Sequence, residues 1–219
     1  EGIAAGDAEL RYEIDVRYHG QGFEIPMPFT GKHGDDKALA DGQGKTLLGH
    51  GQRDWLTASV MGSDATWKVI VTSVPLSIPT GTPEGEGRDG WADGGGPTGY
   101  EDELYRILGS FASAGARNLV WLTADVHFAT VLRHAPFPED PDFVMIEAAA
   151  GPLSAGLFPR RVLDPSLRPQ RLFFHGPDVP DRELGFADAL EWMNFGLLDV
   201  DEQGGLTLRY LPVGGREDS

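Results

Sequence analysis

Cysteine is absent from the 219 residues, which excludes disulfides and thiolate metal ligands within the chain. Its absence leaves the compartment open, since secreted proteins also do without it. Positive charge is scarce: 18 Lys and Arg stand against 34 Asp and Glu, for a net charge of -16. So acidic a chain argues against nucleic acid and anionic membranes as partners. It would repel an anionic substrate as well, unless cations sat in the site. Long apolar runs are missing, so no membrane span is expected, and the first residues lack the basic, apolar pattern of a signal peptide. A start at Glu1 leaves room for a leader already removed. There is no G-x-S-x-G, no P-loop, and no G-x-G-x-x-G that follows a strand and opens a helix. That removes the signatures of serine-triad hydrolases and of common nucleotide sites.

What is present suits one large domain, or a good part of one. Thirty glycines and sixteen prolines accompany 40% apolar residues, which predicts a packed core with long, well-punctuated loops. The organising stretch is Arg117–Ala129. Leu119, Val120, Trp121 and Leu122 form an uninterrupted apolar run, as a strand buried on both faces would. It then meets Thr123, Asp125 and His127. On an extended chain, residues i and i+2 share a face, so Asp125 and His127 would reach one point. A carboxylate oxygen beside an imidazole nitrogen suits a divalent or trivalent cation. In open α/β sheets, ligands bind beyond the carboxyl ends of strands, where this pair falls. Alone, the pair is more ordinarily a turn-capping aspartate and a core histidine.

The rest of the chain divides at residue 45 into an N-terminal hairpin and loop (1–45) and a larger part (46–219). Periodicity predicts a hairpin over 8–29 and a helix over 46–60 with Leu48, Trp55, Leu56 and Val60 near one face. Strands are predicted at 66–75, 117–123, 143–150 and 171–175, and a closing hairpin at 194–200 and 206–211. Residues 78–98 form a long loop of the kind often used as a lid, and 159–171 a basic, proline-punctuated one. The clearest helix is 100–114, with Thr98 as its cap, Glu101, Asp102 and Glu103 at its positive end, and Gly115 as its stop. Leu104, Ile107, Leu108 and Phe111 make its apolar stripe.

Several pieces together resemble the alkaline phosphatase D (PhoD-like) family of metallophosphoesterases, in order and spacing. They are Leu47-Leu-Gly49 with Gln52 and Trp55-Leu56, Ala65–Val69 with Val74-Pro75, and Asp89, Trp91 and Gly99-Tyr100 before the acidic helix start. Asp125-Val-His127, reached from Asn118–Leu122, completes the set. The resemblance implies a metallophosphatase-like α/β/β/α sandwich, of which residues 46–219 would be the C-terminal half, with a mixed sheet and flanking helices. It implies hydrolysis of phosphate monoesters or diesters by a metal-activated water or hydroxide. Asp125 and His127 would be ligands to calcium and iron, or else manganese or zinc. The family's remaining ligands lie in an N-terminal half with a G-D-x-x-Tyr motif, which this chain lacks, so a complementary polypeptide or segment is implied as partner. An extracytoplasmic location is implied too. One departure from the family pattern is Ala124, where glycine usually precedes the aspartate. Residues 8–29 also resemble a short stretch of the hydantoinase A and 5-oxoprolinase family, around Arg17-Tyr18 and Gly20-Gln-Gly22.

The remaining candidates are weaker. His175 closes a short strand and is a candidate substrate contact, against the commoner hydrogen-bonded histidine. Trp91 and Tyr100 are candidate walls of a substrate pocket, although aromatics are more often packing. Arg160 and Arg161 offer forked donors for a phosphate, although paired loop arginines are usually solvated. The competing class is a non-enzymatic binding or structural module that keeps the fold with an incomplete metal site.

Overall fold

In the computed structural model, the described residues are 45–81, 88–96, 98–179 and 183–213. The hairpin expected over 8–29, and nearly all of the proposed 1–45 unit, lie outside them.

The centre is a five-stranded mixed sheet of β1 (Lys68–Val71), β2 (Leu119–Thr123), β3 (Ala129–His134), β4 (Met145–Ala149) and β5 (Gln170–His175). Its strand order is β1-β2-β4-β3-β5. β1, β2 and β4 run parallel, with Val69 beside Val120 and Trp121 beside Glu147. β3 then turns back antiparallel between β4 and β5. Leu119, Val120 and Trp121 are 1% exposed or less, so β2 is buried on both faces as its unbroken apolar run predicts.

Strand β3 was not among the expected strands. Its sequence, Ala-Thr-Val-Leu-Arg-His, carries polar residues at alternate ends of the run. The structure buries Thr130 and His134 completely by giving both partners, so hydrophobicity alone undervalues the segment.

Two helices cover one face, α1 (Gly49–Met61) and α2 (Glu101–Ser113). Leu104, Ile107, Leu108 and Phe111 of α2 are all buried against Ile70, Leu119, Trp121 and Met145. Each such side chain contributes about 1.5–3 kcal/mol by leaving water. The helix stops as expected: Gly115 sits at φ 73°, the Ala116 amide donates to Phe111 O and the Gly115 amide to Ala112 O, both at 2.9 Å. These two bonds are a Schellman cap, which a left-handed glycine permits. Gly115→Ala is therefore expected to lower stability by about 1 kcal/mol, measured by urea unfolding.

Two helix expectations are corrected. Thr98 does not cap α2; its amide and hydroxyl both donate to Asp93 Oδ2, at 2.5 and 3.0 Å, and Tyr100 holds the N-cap position. Helix α1 begins at Gly49 rather than Thr46, because Thr46 Oγ accepts the Gly49 amide at 2.8 Å. The buried Glu103 carboxylate then receives the Thr46 hydroxyl at 2.5 Å and the Leu47 amide at 2.6 Å, tying the start of α1 to α2. Trp55, placed by periodicity near the apolar face, is 55% exposed, since one helical step separates it from the inward Leu56.

The other face is covered by a two-stranded hairpin, β6 (Asn194–Val200) and β7 (Leu206–Pro212), as expected. Leu206 and Leu208 pack there on Val120, Val131, Ile146 and Ala148. Tyr210 donates to Thr130 O at 3.2 Å, and burial, with Glu147 nearby, pushes its hydroxyl well above the ordinary value. It stays a neutral donor. Between β5 and β6 lies a short helix, α3 (Phe186–Leu190). Helix layer, mixed sheet and covering hairpin are the α/β architecture expected from the sequence.

Candidate functional site

At the carboxyl end of β2 the chain leaves the sheet after Thr123 and re-enters it at Ala129. The link is not extended: Asp125 lies at φ 66° and His127 at φ 60°. The i, i+2 argument for a shared face therefore fails. What brings both side chains outward is alternating burial, with Val126 and Phe128 at 1% and 0% exposure gripping the core between and beyond them. Left-handed backbone costs a non-glycine residue on the order of 1–3 kcal/mol, least for Asn, Asp and His. Two such residues in one link mark a place where the surroundings dictate conformation. Ala124 is not among the residues of positive φ, so the glycine it replaces is not needed for backbone freedom.

The surroundings of His127 are explicit. Its Nδ1 lies 2.6 Å from Gly156 O, and its ring stacks on Phe158 at 4.6 Å between centroids. A carbonyl oxygen only accepts, so Nδ1 carries a proton and Nε2 holds the lone pair of the neutral ring. That is how a metal-binding histidine is usually oriented. Asp125 is exposed and acceptor-rich. The donor set thus fits a hard or borderline cation.

The loop bearing Gly156 is held in turn by Asn194, which is 1% exposed. Its Oδ1 accepts the Gly151 amide at 3.0 Å, and its Nδ2 donates to Gly151 O at 3.3 Å and Trp192 O at 3.0 Å. Asn194→Ala would orphan these groups at about 1–3 kcal/mol and, by loosening Gly156, weaken metal binding about 10–100-fold. Thermal melts and metal titration of the variant check both; unchanged metal affinity would detach Asn194 from the site.

Beneath the link lies a buried polar group. Glu147, in the middle of β4, accepts the Leu76 amide at 2.8 Å and the Thr123 hydroxyl at 3.1 Å through Oε1. Its Oε2 is 2.8 Å from His134 Nε2, and Ser77 Oγ is 3.5 Å from His134 Nδ1. Sequence reasoning missed Glu147, His134 and Asn194. For Glu147 the signal was available: one carboxylate inside the apolar run Phe143–Ala149 must have partners if the strand is buried.

His175 closes β5 opposite Ala129, at the same end of the sheet as Asp125 and His127, and its ring leans on Trp192 at 5.1 Å. Trp91 and Tyr100, at 1% and 5% exposure, lie in the core under α2, the packing role commoner for aromatics, and their loop is knitted inward rather than left open. Asp93 does the knitting: burial alone would raise its carboxyl, but the Thr98 and Arg88 donors hold it below its ordinary value. The Asp93 amide is in turn accepted by Glu101 Oε1 at 2.6 Å, and the Gly94 amide by Asp164 Oδ2 at 2.8 Å. Among the described residues, no group of three or more His, Asp or Glu converges as a metal cluster would.

A family model described as PhoD-like phosphatase matches residues 10–200. The chain belongs to the PhoD-like phosphatase family. The matched span takes in nearly all of the 8–29 stretch that also resembles hydantoinase A. A solved structure of PhoD aligns at 25% identity over 49% of this chain and 20% of that chain, with a TM-score of 0.39. At that score the superposition carries no argument, and the chain corresponds to about a fifth of that protein's length where they align. No curated protein matches the chain. Among the described residues of this PhoD-like chain, no helix is long and apolar enough to cross a membrane.

Proposed function

We propose that this chain contributes to metal-dependent hydrolysis of phosphate monoesters or diesters, with Asp125 and His127 as two of the ligands. The supporting observation is the Nδ1 contact to Gly156 O at 2.6 Å, which leaves His127 Nε2 as the ligating nitrogen. Bound calcium, iron, manganese or zinc would polarise the phosphoryl oxygens and supply a nucleophilic water. The chain's own residues do the rest. Asp125 offers carboxylate oxygens, Gly156 fixes the His127 tautomer, and Phe158 holds the ring plane.

Two ligands fix too few positions for a tight site, since protein metals usually take three or four protein ligands or many oxygens. The remaining ligands would come from outside the described residues, on a complementary segment or polypeptide. An extracytoplasmic setting belongs to the same reading. The incomplete ligand set also favours the second reading, a binding module that keeps the fold without turnover.

The test is metal removal and return. The chain, stripped with chelator, is titrated calorimetrically with Ca²⁺, Mn²⁺ and Fe³⁺, and turnover of a chromogenic phosphodiester is followed alone and with the complementary segment. Weak metal binding alone, with metal-dependent turnover once the segment is added, is expected. Full turnover by the chain alone would show that no partner is needed. No metal-dependent turnover in either state favours the binding module.

A further inference from the structure

Five arginines of the described chain, Arg53, Arg88, Arg106, Arg117 and Arg209, each pair with an aspartate. Acidic partners are plentiful in a chain with 34 Asp and Glu. The other five described arginines, Arg133 and Arg168 among them, pair with no carboxylate of the described residues, and three of these five, Arg160, Arg161 and Arg171, share a second feature. They gather on aromatic faces next to the proposed ligands. The Arg161 guanidinium lies 4.9 Å from the centre of the Phe158 ring, the same ring that stacks on His127. Arg160 and Arg171 lie 4.4 and 5.5 Å from the centre of Phe174, which packs on Phe128, the neighbour of His127.

Two of the three are fixed by backbone oxygens. Arg171 Nη2 donates to Arg161 O at 2.9 Å, and Arg161 Nη1 to Pro79 O at 3.2 Å. Arg171 Nε is buried without a hydrogen-bond partner. Arg160 and Arg171 share the Phe174 ring, so their like charges repel, and burial, with the Arg160 charge second, lowers the Arg171 pKa. The aromatic faces offset part of this cost. An anion would relieve the rest, and guanidinium forks match phosphate oxygens two at a time.

We propose that Arg160, Arg161 and Arg171 form an anion site beside His127 that receives a second phosphate group of the substrate. Phosphate esters carrying another phosphate are thereby preferred over esters with one. The substrate role rests on the phosphoesterase reading, whereas anion binding by the cluster does not.

The probe is inorganic pyrophosphate, titrated calorimetrically into metal-free protein at low salt, with orthophosphate in parallel. Arg160→Gln is the variant of choice, because Arg160 is exposed and stacks on Phe174 without anchoring backbone. Saturable pyrophosphate binding is expected, tighter than that of orthophosphate and weakened about tenfold or more by Arg160→Gln. Arg160→Lys should lose less, and Arg53→Gln, a remote paired arginine, nothing. In metal-loaded, active protein, Arg160→Gln should raise KM for an ester bearing a second phosphate and leave KM for p-nitrophenyl phosphate unchanged. Absent pyrophosphate binding, or equal affinity in wild type and Arg160→Gln, overturns the proposal. An equal rise in KM for both esters overturns the second-phosphate assignment. Were the phosphoesterase reading wrong instead, metal-dependent turnover would be missing while pyrophosphate still bound.

Discussion

On the proposed function, Asp125→Asn and His127→Asn should each lower metal-dependent phosphoester turnover by at least about 100-fold, since each removes a charge or lone pair that would hold the ion. The choice of asparagine follows from the backbone. Both positions are left-handed, at φ 66° and 60°. Alanine at either would add a conformational penalty on the order of 1 kcal/mol or more, confusing lost chemistry with lost structure. Asparagine tolerates this region and is isosteric with aspartate. At position 127 it forgoes the stack on Phe158 but not the backbone bond from the Phe158 amide to residue 127 O, 3.3 Å in the native chain. Melting temperatures should stay close to wild type while bound metal and turnover both fall. Turnover retained in both variants would remove Asp125 and His127 from the site.

The parts of the fold that could be read in advance are those where one local rule decides. The apolar run of β2, the stripe of α2 with its glycine stop, and the β6–β7 hairpin around Asp201–Gly205 all follow from spacing and turn chemistry. What could not be read depends on partners distant in sequence. β3 is a strand because His134 meets Glu147 and Thr130 meets Phe173 O. Thr98 looked like a helix cap, yet Asp93, five residues earlier, wins it. How Trp91 and Tyr100 are packed depends on a loop rich in glycine and aspartate that is tied down by Asp93 within it and by Asp164, seventy residues on from Gly94.

The candidate site divides in the same way. Asp125 and His127 are legible because a D-x-H pair after an apolar strand is a local pattern. The orientation of His127 is not, since it comes from Gly156 and Phe158, whose loop Asn194 holds, between 29 and 67 residues further on by number. The arginine cluster has both characters. Arg160 and Arg161 stand out as a pair in the sequence, while Arg171 joins them only because β5 brings Phe174 beside Phe128.

Glu147→Ala should be the most destabilising single change, costing about 3–5 kcal/mol in urea unfolding. Glu147 and His134 are both fully buried, so nothing in the solvent can replace what is lost. Truncation would leave the Leu76 amide, the Thr123 hydroxyl and His134 Nε2 without partners. A buried orphan of this kind costs about 1–3 kcal/mol, and the vacated volume adds to it. The same three groups lie on the segment after β1, the end of β2 and the end of β3. Of the three, Thr123 ends β2 just before Asp125, so its loss reaches the start of the link that carries Asp125 and His127. Glu147→Gln keeps the volume and both acceptor contacts at Oε1, so its cost should be smaller. His134→Ala strands only the other carboxylate oxygen. A double-mutant cycle between Glu147→Ala and His134→Ala should give a coupling of about 1–3 kcal/mol, because both changes remove one interaction. Additive losses, or a cost below about 1 kcal/mol for Glu147→Ala, would mean that water or rearrangement replaces the network.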